Sequence, residues 1–217
     1  ITYSPKLNLL VAVGSSSAVI TSTDGINWTK QHIDGYFDLN QIEYFPELNK
    51  FVCVGGAVIT SEDGINWTKF DNPSSRDLLA ICYSPELNLF AAIDSSDVYT
   101  STDGTNWTKC DNPPPESNLE SIAYSSELNL FVIVSTNKAY KSRDSITWSE
   151  SSAGILGSNV IQSITYSQEL KLFAIACSYP SAVITSTDGI NWTRHILNNS
   201  VNYTLRCITY SPELNLF

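Results

Sequence analysis

The sequence predicts an all-β protein, a β-propeller of four-stranded antiparallel blades, and three observations support this. A seven-residue motif ending in tryptophan occurs five times, first as Ser22-Thr23-Asp24-Gly25-Ile26-Asn27-Trp28. Its tryptophans are 39 to 44 residues apart, an interval typical of repeats whose unit is one small sheet. Short strand-like runs bounded by Gly, Pro, Asn and Ser fill each unit, and no segment shows capped helical periodicity.

Each unit begins with a first strand of the pattern Ile-x-Tyr, as in Ile42-Glu43-Tyr44. A turn such as Ser84-Pro85-Glu86-Leu87-Asn88 follows, in which proline presets φ and asparagine tolerates the left-handed region. The second strand, for example Leu9-Leu10-Val11-Ala12-Val13, is apolar throughout, which indicates a strand covered on both faces. A turn of small residues then leads to the third strand, Ala18-Val19-Ile20-Thr21.

The seven-residue motif, called the heptad below, makes the turn into a more polar fourth strand that begins at the tryptophan. Asp24 can accept hydrogen bonds from backbone N–H groups two or three residues later, and Ser22 can bridge the turn. Gly25 supplies a positive φ. We expect Trp28 to fill the gap between neighbouring blades and to contribute more stability than any single turn hydrogen bond.

The fourth heptad has Ser145 in place of the glycine, so its blade is expected to be the least regular. The predicted structural residues of the five heptads are Ser22, Asp24, Gly25 and Trp28; Ser61, Asp63, Gly64 and Trp67; Ser101, Asp103, Gly104 and Trp107; Ser142, Asp144 and Trp148; and Ser186, Asp188, Gly189 and Trp192.

The pattern Ser-x-Asp-Gly-x-x-Trp resembles the Asp-box, or bacterial neuraminidase repeat (BNR), of sialidase-like propellers, in a variant with one residue fewer between Asp and Gly. The whole unit also resembles repeats of uncharacterised proteins from phage, viral and bacterial surfaces. The resemblance extends over essentially all 217 residues. It implies a propeller in which the heptad is a structural turn at the blade periphery, away from the ligand site.

The repeats divide one domain, residues 1–217, at about 1–40, 41–79, 80–120, 121–162 and 163–206, with a partial sixth unit at 207–217. We expect five blades in this chain. The last unit repeats the opening residues, so it could overlap or replace the first strands and fasten a five-bladed ring. The alternative is that the chain forms part of a larger ring. A β-sandwich explains the regular repeat poorly, because its strands occupy unlike environments.

Composition excludes several classes of partner. A formal charge of −10 argues against nucleic acid and anionic membrane surfaces, and no apolar run approaches the ~20 residues of a bilayer span. The five cysteines are scattered without C-x-x-C spacing, which predicts buried free thiols. Each heptad offers one aspartate, fewer carboxylates than a calcium loop needs. We therefore expect no metal and no cofactor.

Sialidase-like chemistry would require an arginine cluster with an activated tyrosine and a carboxylic acid. Of the four arginines, Arg143 lies in a heptad and Arg194 on an outer strand, whereas Arg76 and Arg206 precede first strands. Both histidines follow the outer strands, where we expect surface residues. No catalytic residue is therefore predicted, and the chain is not expected to be an enzyme. A glycosidase is the least favoured function.

The loops from each fourth strand to the next first strand differ most between units, and varied loops on a rigid scaffold are the usual layout for recognition. We expect a non-catalytic binding propeller with a glycan or protein ligand, such as a surface or virion adhesion module. The alternative is a purely structural scaffold within a larger polypeptide or assembly. The predicted ligand-binding residues are Tyr36, Phe37, Asp38, Asn40, Arg76, Asp77, Glu116, Asn118, Tyr179, Asn202, Tyr203 and Arg206.

Overall fold

The computed structural model describes residues 1–136, 138–151, 160–178, 181–196, 204–211 and 214–217. These residues form five four-stranded antiparallel sheets, each with its strands in chain order, and contain no helix. The predicted all-β propeller with five blades in this chain is therefore confirmed. None of the described residues belongs to a helix long and apolar enough to cross a membrane.

The strands are short and follow the predicted order within each blade. Blade 1 contains β1 (Thr2–Ser4), β2 (Leu9–Gly14), β3 (Ala18–Ser22) and β4 (Thr29–Lys30); blade 2 contains β5 (Leu39–Phe45), β6 (Lys50–Gly55), β7 (Val58–Ser61) and β8 (Thr68–Phe70). Blade 3 contains β9 (Ala80–Ser84), β10 (Leu89–Ile93), β11 (Val98–Ser101) and β12 (Thr108–Lys109); blade 4 contains β13 (Leu119–Ser125), β14 (Leu130–Ser135), β15 (Ala139–Ser142) and β16 (Ser149–Glu150). Blade 5 contains β17 (Val160–Ser167), β18 (Leu172–Ser178), β19 (Ala182–Ser186) and β20 (Thr193–Ile196).

A tyrosine and an asparagine close the turn between the first and second strands. In blade 3, the hydroxyl of Tyr83 donates to Oδ1 of Asn88 at 2.8 Å, and Asn88 has a φ of 48°. Asparagine adopts this left-handed conformation more readily than most residues. The same hydrogen bond joins Tyr3 to Asn8, Tyr44 to Asn49 and Tyr124 to Asn129.

The heptad forms the turn that its sequence predicts. In the second copy, Oγ of Ser61 donates to Oδ1 of Asp63 at 3.0 Å and accepts the N–H of Gly64 at 2.8 Å. Oδ1 of Asp63 also accepts the N–H groups of Ile65 and Asn66, while its Oδ2 accepts the Asn66 amide at 2.7 Å. Gly64 has a φ of 74°, as the turn requires.

These hydrogen bonds stabilise the ionised aspartate. Desolvation alone would raise the pKa of Asp63, but the backbone and side-chain hydrogen bonds from Asn66, with those from Ile65 and Ser61, together lower it to about 2. The fourth copy departs from the others at Ser145. This residue is buried with a φ of 58°, and its hydroxyl has no hydrogen-bond partner.

Successive blades pack face to face, and in the four seams a mainly aliphatic face of one blade meets an aromatic-rich face of the next, although blade 2 also contributes Phe45 and Phe70 to its seam with blade 3. Between blades 2 and 3, for example, Val52, Val54 and Val58 pack in one cluster with Phe90 and the partly buried Trp107. The corresponding clusters contain Val11, Val19, Phe51 and Trp67 in the first seam, Ile93, Val98, Phe131 and Trp148 in the third, and Val132, Val134, Phe173 and Trp192 in the fourth.

Trp67, Trp107, Trp148 and Trp192 occupy the seams, as predicted, but the prediction was wrong for Trp28, which belongs to none of the seam clusters. Trp192 is 2% exposed, whereas Trp28 is 36% exposed. The other three are half-buried. Trp28 shares blade 1 with Ile1 and Tyr3, which are 74% and 46% exposed. Burial of the indole therefore depends on whether another blade covers it, because the motif itself is the same.

The described residues of the partial sixth unit reproduce contacts of the turn between first and second strands. A bridge joins Ser211 to Leu216, the hydroxyl of Tyr210 donates to Oδ1 of Asn215 at 2.6 Å, and the rings of Tyr210 and Phe217 are 5.2 Å apart. Oγ of Ser178 in blade 5 donates to the carbonyl of Leu205 at 2.8 Å, which fixes the tail beside the last complete blade.

All five cysteines are free, as predicted. Cys53, Cys110 and Cys177 are buried and Cys82 is half-buried, but Cys207 is exposed. The expectation of burial was wrong for Cys207 because this residue lies in the tail, where it lines the central cavity described below.

Candidate functional site

The loops between blades lie on the same face as the turns between second and third strands, as expected for a propeller. The N–H of Ser17 donates to the carbonyl of Phe37 at 2.7 Å, and Oδ1 of Asp38 accepts the N–H of Ser16 at 2.9 Å. The N–H of Gly56, in the turn of the next blade, donates to the carbonyl of Asp38 at 2.8 Å. This loop is therefore attached to the turns of two successive blades, which makes the loop face a preformed surface.

The next loop is attached in the same way. The Asn72 amide donates to the carbonyl of Gly55 at 3.0 Å, and Oγ of Ser74 donates to Oδ2 of Asp94 at 2.5 Å. Asp94 is fully buried in the turn of blade 3. Desolvation would raise its pKa, but the hydrogen bonds from Ser74 and from backbone N–H groups outweigh burial and lower it. Asp94 is thus a structural carboxylate of the loop face.

Several predicted ligand-binding residues lie on the rim of this face. Tyr36 is 85% exposed, and its hydroxyl accepts a hydrogen bond from Ser16 at 3.1 Å. The Phe37 ring lies under the Lys69 ammonium, 4.8 Å from the ring centroid, and Glu116 pairs with Lys138 at 2.7 Å. Asp38, Arg76, Asp77 and Asn118 are exposed. Tyr179, Asn202 and Tyr203 lie outside the described residues.

The two remaining predicted residues, Asn40 and Arg206, line a cavity of about 360 Å³ at the centre of the molecule. Ile1, residues at the starts of the first strands of blades 2 to 5, and residues 206–209 of the tail line it. Among the described residues, its lining consists of amides, two carboxylates, hydroxyls, one guanidinium, one thiol and aliphatic side chains, without an aromatic ring.

One repeat position forms much of this cavity wall. It lies two residues before the isoleucine of Ile-x-Tyr and is occupied in successive units by Asn40, Leu79, Glu120, Gln162 and Arg206. Leucine or isoleucine precedes it in every one of these units, and isoleucine follows two residues later. A position that carries five different side chains between two kept apolar positions, and that lines the cavity, is a candidate for recognition.

The backbone is irregular at this same position. The pairing of first and second strands shifts register between Leu39 and Gln41, and likewise around Glu120 and Gln162. Bulges of this kind re-aim a side chain that would otherwise follow the regular alternation of the strand. The bulges therefore present Asn40, Glu120 and Gln162 at the cavity.

Glu43 lies deeper in the cavity wall. The amide of Gln41 donates to Oε1 of Glu43 at 2.9 Å, while Oε1 of Gln41 accepts the N–H of Ile81 from the next blade at 2.7 Å. Desolvation raises the pKa of Glu43 to about 7, although the hydrogen bond from Gln41 opposes this. Desolvation also raises the pKa of Glu120. The wall thus contains two carboxyl groups that take up protons more readily than exposed glutamates.

Among these cavity residues, only Asn40 and Arg206 were predicted from the sequence, because they lie next to variable loops. Glu43, Glu120 and Gln162 were not predicted, since they lie within first strands. The available signal was the alignment of the units on Ile-x-Tyr, which shows the variable position directly.

The histidines lie away from this wall: His32 follows β4 and contacts Asp34 at 3.0 Å, and His195 lies on β20 beside Thr185. Within the described ranges, no group of three or more His, Cys, Asp or Glu side chains could hold a metal ion.

A model of the DUF6242 beta propeller domain matches residues 1–127 and again residues 80–205. The two matches overlap, as expected when one unit can align with its neighbours. No curated protein matches the chain.

Solved structures resemble the chain in fold. A catalytically inactive histidine-to-alanine variant of virginiamycin B lyase from Staphylococcus aureus, with quinupristin, has a TM-score of 0.76 at 9% identity over 92% of this chain and 77% of that chain. A nidogen/laminin complex has a TM-score of 0.67 at 12% identity over 85% and 73%. YCF48 bound to D1 peptide has a TM-score of 0.64 at 16% identity over 89% and 64%. At these identities the likeness concerns the fold alone.

Proposed function

The chain belongs to the DUF6242 beta propeller domain family, and we propose that it is a non-catalytic binding module that holds a polar segment of a protein partner in its central cavity. The observation that carries this proposal is the bulged repeat position. Five different side chains occupy it and line the cavity, while the Leu or Ile just before it and the Ile two residues after it are kept in every unit. Different side chains on one cavity wall, held by a repeated scaffold, are expected when the ligand differs in chemistry around its circumference.

The chemistry of the wall suits a polypeptide. Asn40 and Gln162 offer both donors and acceptors, Glu120 offers acceptors, and Arg206 offers donors. Peptide groups and polar side chains need this mixture. A volume of about 360 Å³ falls within the range of ligand pockets and admits a short segment rather than a folded domain. The titles of two structural neighbours, the nidogen/laminin complex and YCF48 with D1 peptide, also describe complexes with another polypeptide.

A glycan is the second candidate, because the resemblance of the heptad to a shortened Asp-box favours a sialidase-like propeller. The described lining of the cavity has no aromatic ring on which a sugar could stack, so we rank this ligand lower. The absence of a catalytic role is part of the proposal. It is supported by the described lining of the cavity, which has one arginine and no tyrosine, whereas sialidase-like chemistry would require an arginine cluster with an activated tyrosine and a carboxylic acid.

The experiment selects peptides from a displayed random library against the whole chain and measures their affinities by calorimetry. Arg206→Gln and Glu120→Gln should weaken binding about tenfold each, as expected when one charged hydrogen-bonding group is lost. Arg76→Gln is the matched control, because it makes the same change on the exposed rim. Equal losses for Arg76→Gln and Arg206→Gln would exclude the cavity as the site.

The same variants are tested on a glycan array and on fluorogenic glycosides. If glycans bind, peptides do not, and the cavity variants weaken glycan binding, the ligand is a glycan rather than a peptide. Turnover of a glycoside would contradict the non-catalytic proposal. If neither peptides nor glycans bind, the scaffold alternative is favoured.

A further inference from the structure

A second kind of cavity opens at the outer rim, where two blades meet. The cavity between blades 4 and 5 has a volume of about 210 Å³, and the equivalent cavity between blades 2 and 3 about 340 Å³. In both, residues at the end of the third strand and in the following heptad form one wall, and the heptad of the next blade contributes to the other. We call the first of these the 4/5 groove.

The 4/5 groove differs from the rest of the repeat in charge. Lys141 stands immediately before the heptad serine, where the other four blades have threonine. Arg143 follows that serine, where the others have threonine or, in blade 2, Glu62. Both side chains line the groove. Two cations therefore replace neutral or acidic residues at one seam of a chain whose net charge is −10.

These cations are available to a ligand. Nη1 of Arg143 donates to the carbonyl of Leu128 at 2.6 Å, which positions the guanidinium and leaves its other donors. No ion pair joins Lys141 or Arg143 to a carboxylate of the described residues. Asp188 supplies the carboxylate among the lining residues, but its oxygens already accept two backbone N–H groups, the Asn191 amide and a serine hydroxyl.

We propose that the 4/5 groove binds an oxyanion, a sulfate, phosphate or carboxylate group, between Lys141 and Arg143. The lining carries two positive charges and one negative charge, so it is net positive. Charge-assisted hydrogen bonds from arginine to these anions are strong and directional. Leu130 and Ile190 in the same lining offer an apolar contact to the group that carries the anion. This site is separate from the central cavity and does not depend on the proposed function.

The repeat itself supplies the variants for the test. Lys141→Thr introduces the residue that the other four blades have at this position, and Arg143→Thr introduces the residue that three of them have, so both changes should leave the fold intact. A matched control is Lys6→Thr with Lys30→Thr, which removes the same charge from two exposed lysines elsewhere. Sulfate, phosphate and acetate are titrated in turn at constant ionic strength, with amide chemical shifts followed by NMR.

We expect saturable shifts centred on residues 141–149 in the natural chain. The double variant Lys141→Thr/Arg143→Thr should bind the preferred anion about a hundredfold more weakly, since two charged donors are lost. The affinity of the lysine control for the same anion should stay within about twofold of that of the natural chain. The ranking of sulfate, phosphate and acetate distinguishes the possible sources of the anion.

Equal affinity in the double variant, shifts outside the groove, or no saturation with any of the three anions would overturn the proposal. A gain-of-function arm places Thr60→Lys and Glu62→Arg in the groove between blades 2 and 3. New anion-dependent shifts there would support the assignment of both residues. Their absence, with the variant folded, would show that the two cations are insufficient and count against it.

Discussion

The hydroxyl of Tyr83 donates a hydrogen bond of 2.8 Å to Oδ1 of Asn88. The corresponding residues of blade 5 are Tyr166 and Lys171, and here the bond is missing. Lysine has no acceptor, and the Tyr166 hydroxyl is buried without a partner. Lys171 nevertheless has the positive φ of the turn, 53°. Blade 5 therefore keeps the shape of this turn without the hydrogen bond that accompanies it elsewhere.

Lys171→Asn should raise the free energy of unfolding by about 1–2 kcal/mol, because it supplies the acceptor and fits the left-handed backbone better. The ion pair that it removes, with Glu127 at 2.7 Å, is largely exposed and worth about 0–1 kcal/mol. Urea unfolding followed by tryptophan fluorescence measures the change. Asn88→Lys, the reverse change in blade 3, should be destabilising, because it removes the acceptor of the Tyr83 hydroxyl. If Lys171→Asn leaves the free energy of unfolding unchanged or lowers it, the unpaired Tyr166 hydroxyl destabilises the fold very little.

Ser145→Gly should stabilise the chain by about 1 kcal/mol. It relieves a positive φ and removes a buried hydroxyl without a partner, and these gains exceed the flexibility that glycine adds to the unfolded chain. Thermal unfolding measures the effect. Ser145→Ala separates the two causes, since it removes the hydroxyl and keeps the backbone strain. If the alanine variant gains as much as the glycine variant, strain at this position is negligible.

Stability should fall as the pH drops from about 5 to 2. The pKa of Asp63 is about 2 in the folded chain and about 3.9 when unfolded, so the unfolded state binds more protons across this interval. The contribution of ionised Asp63 to the free energy of unfolding is therefore fully present above the pKa of the unfolded state. It is lost as the pH falls through the pKa of the folded state. Hydrogen bonds likewise lower the pKa of Asp188 to about 2, against an opposing desolvation.

Urea unfolding at a series of pH values tests this dependence. Asp63→Asn should reduce the slope of stability against pH in the acid range, because the group that titrates is gone. Asp71→Asn, a change to an exposed loop aspartate, is the control for net charge. Equal slopes for the two variants would contradict the role assigned to the heptad carboxylate.

Trp192→Ala should cost about 3–5 kcal/mol, and Trp28→Ala about half as much, because the two indoles are 2% and 36% exposed. Trp192 also donates from Nε1 to Oγ of Ser151 at 2.9 Å. Asp188→Ala, in the same heptad as Trp192, is expected to cost less than the tryptophan change. Urea unfolding ranks the three variants. Equal losses of stability for Trp28→Ala and Trp192→Ala would mean that burial in a seam does not determine how much the indole contributes to the free energy of unfolding.

Because the unit is repeated five times, the features that depend only on residues within one unit could be predicted from the sequence. The order of strands, the positive φ of Gly64 and the hydrogen bonds of Asp63 follow from residues close together in the chain, and five copies make the pattern plain. Features that depend on how neighbouring blades pack against each other were harder to predict. Trp28 and Trp192 share a motif, and only the packing of neighbouring blades decides which is buried.

The central cavity shows the same limit. Asn40 and Arg206 were predicted because they lie next to variable loops, whereas Glu120 and Gln162 were missed within first strands. Their common role arises when the ring brings one repeat position from successive blades to a shared wall, with bulges that turn the side chains towards it. Periodicity along the chain indicates neither the ring centre nor the bulges.

The recurring seam, mainly aliphatic on one side and aromatic-rich on the other, has a consequence for how such proteins evolve. A blade copied between two existing ones carries both surfaces that its new neighbours require, so no complementary mutation is needed elsewhere. Unequal recombination between near-identical gene segments can thus change the number of blades in one event. Divergence of the bulged position afterwards would give each enlarged ring a new specificity.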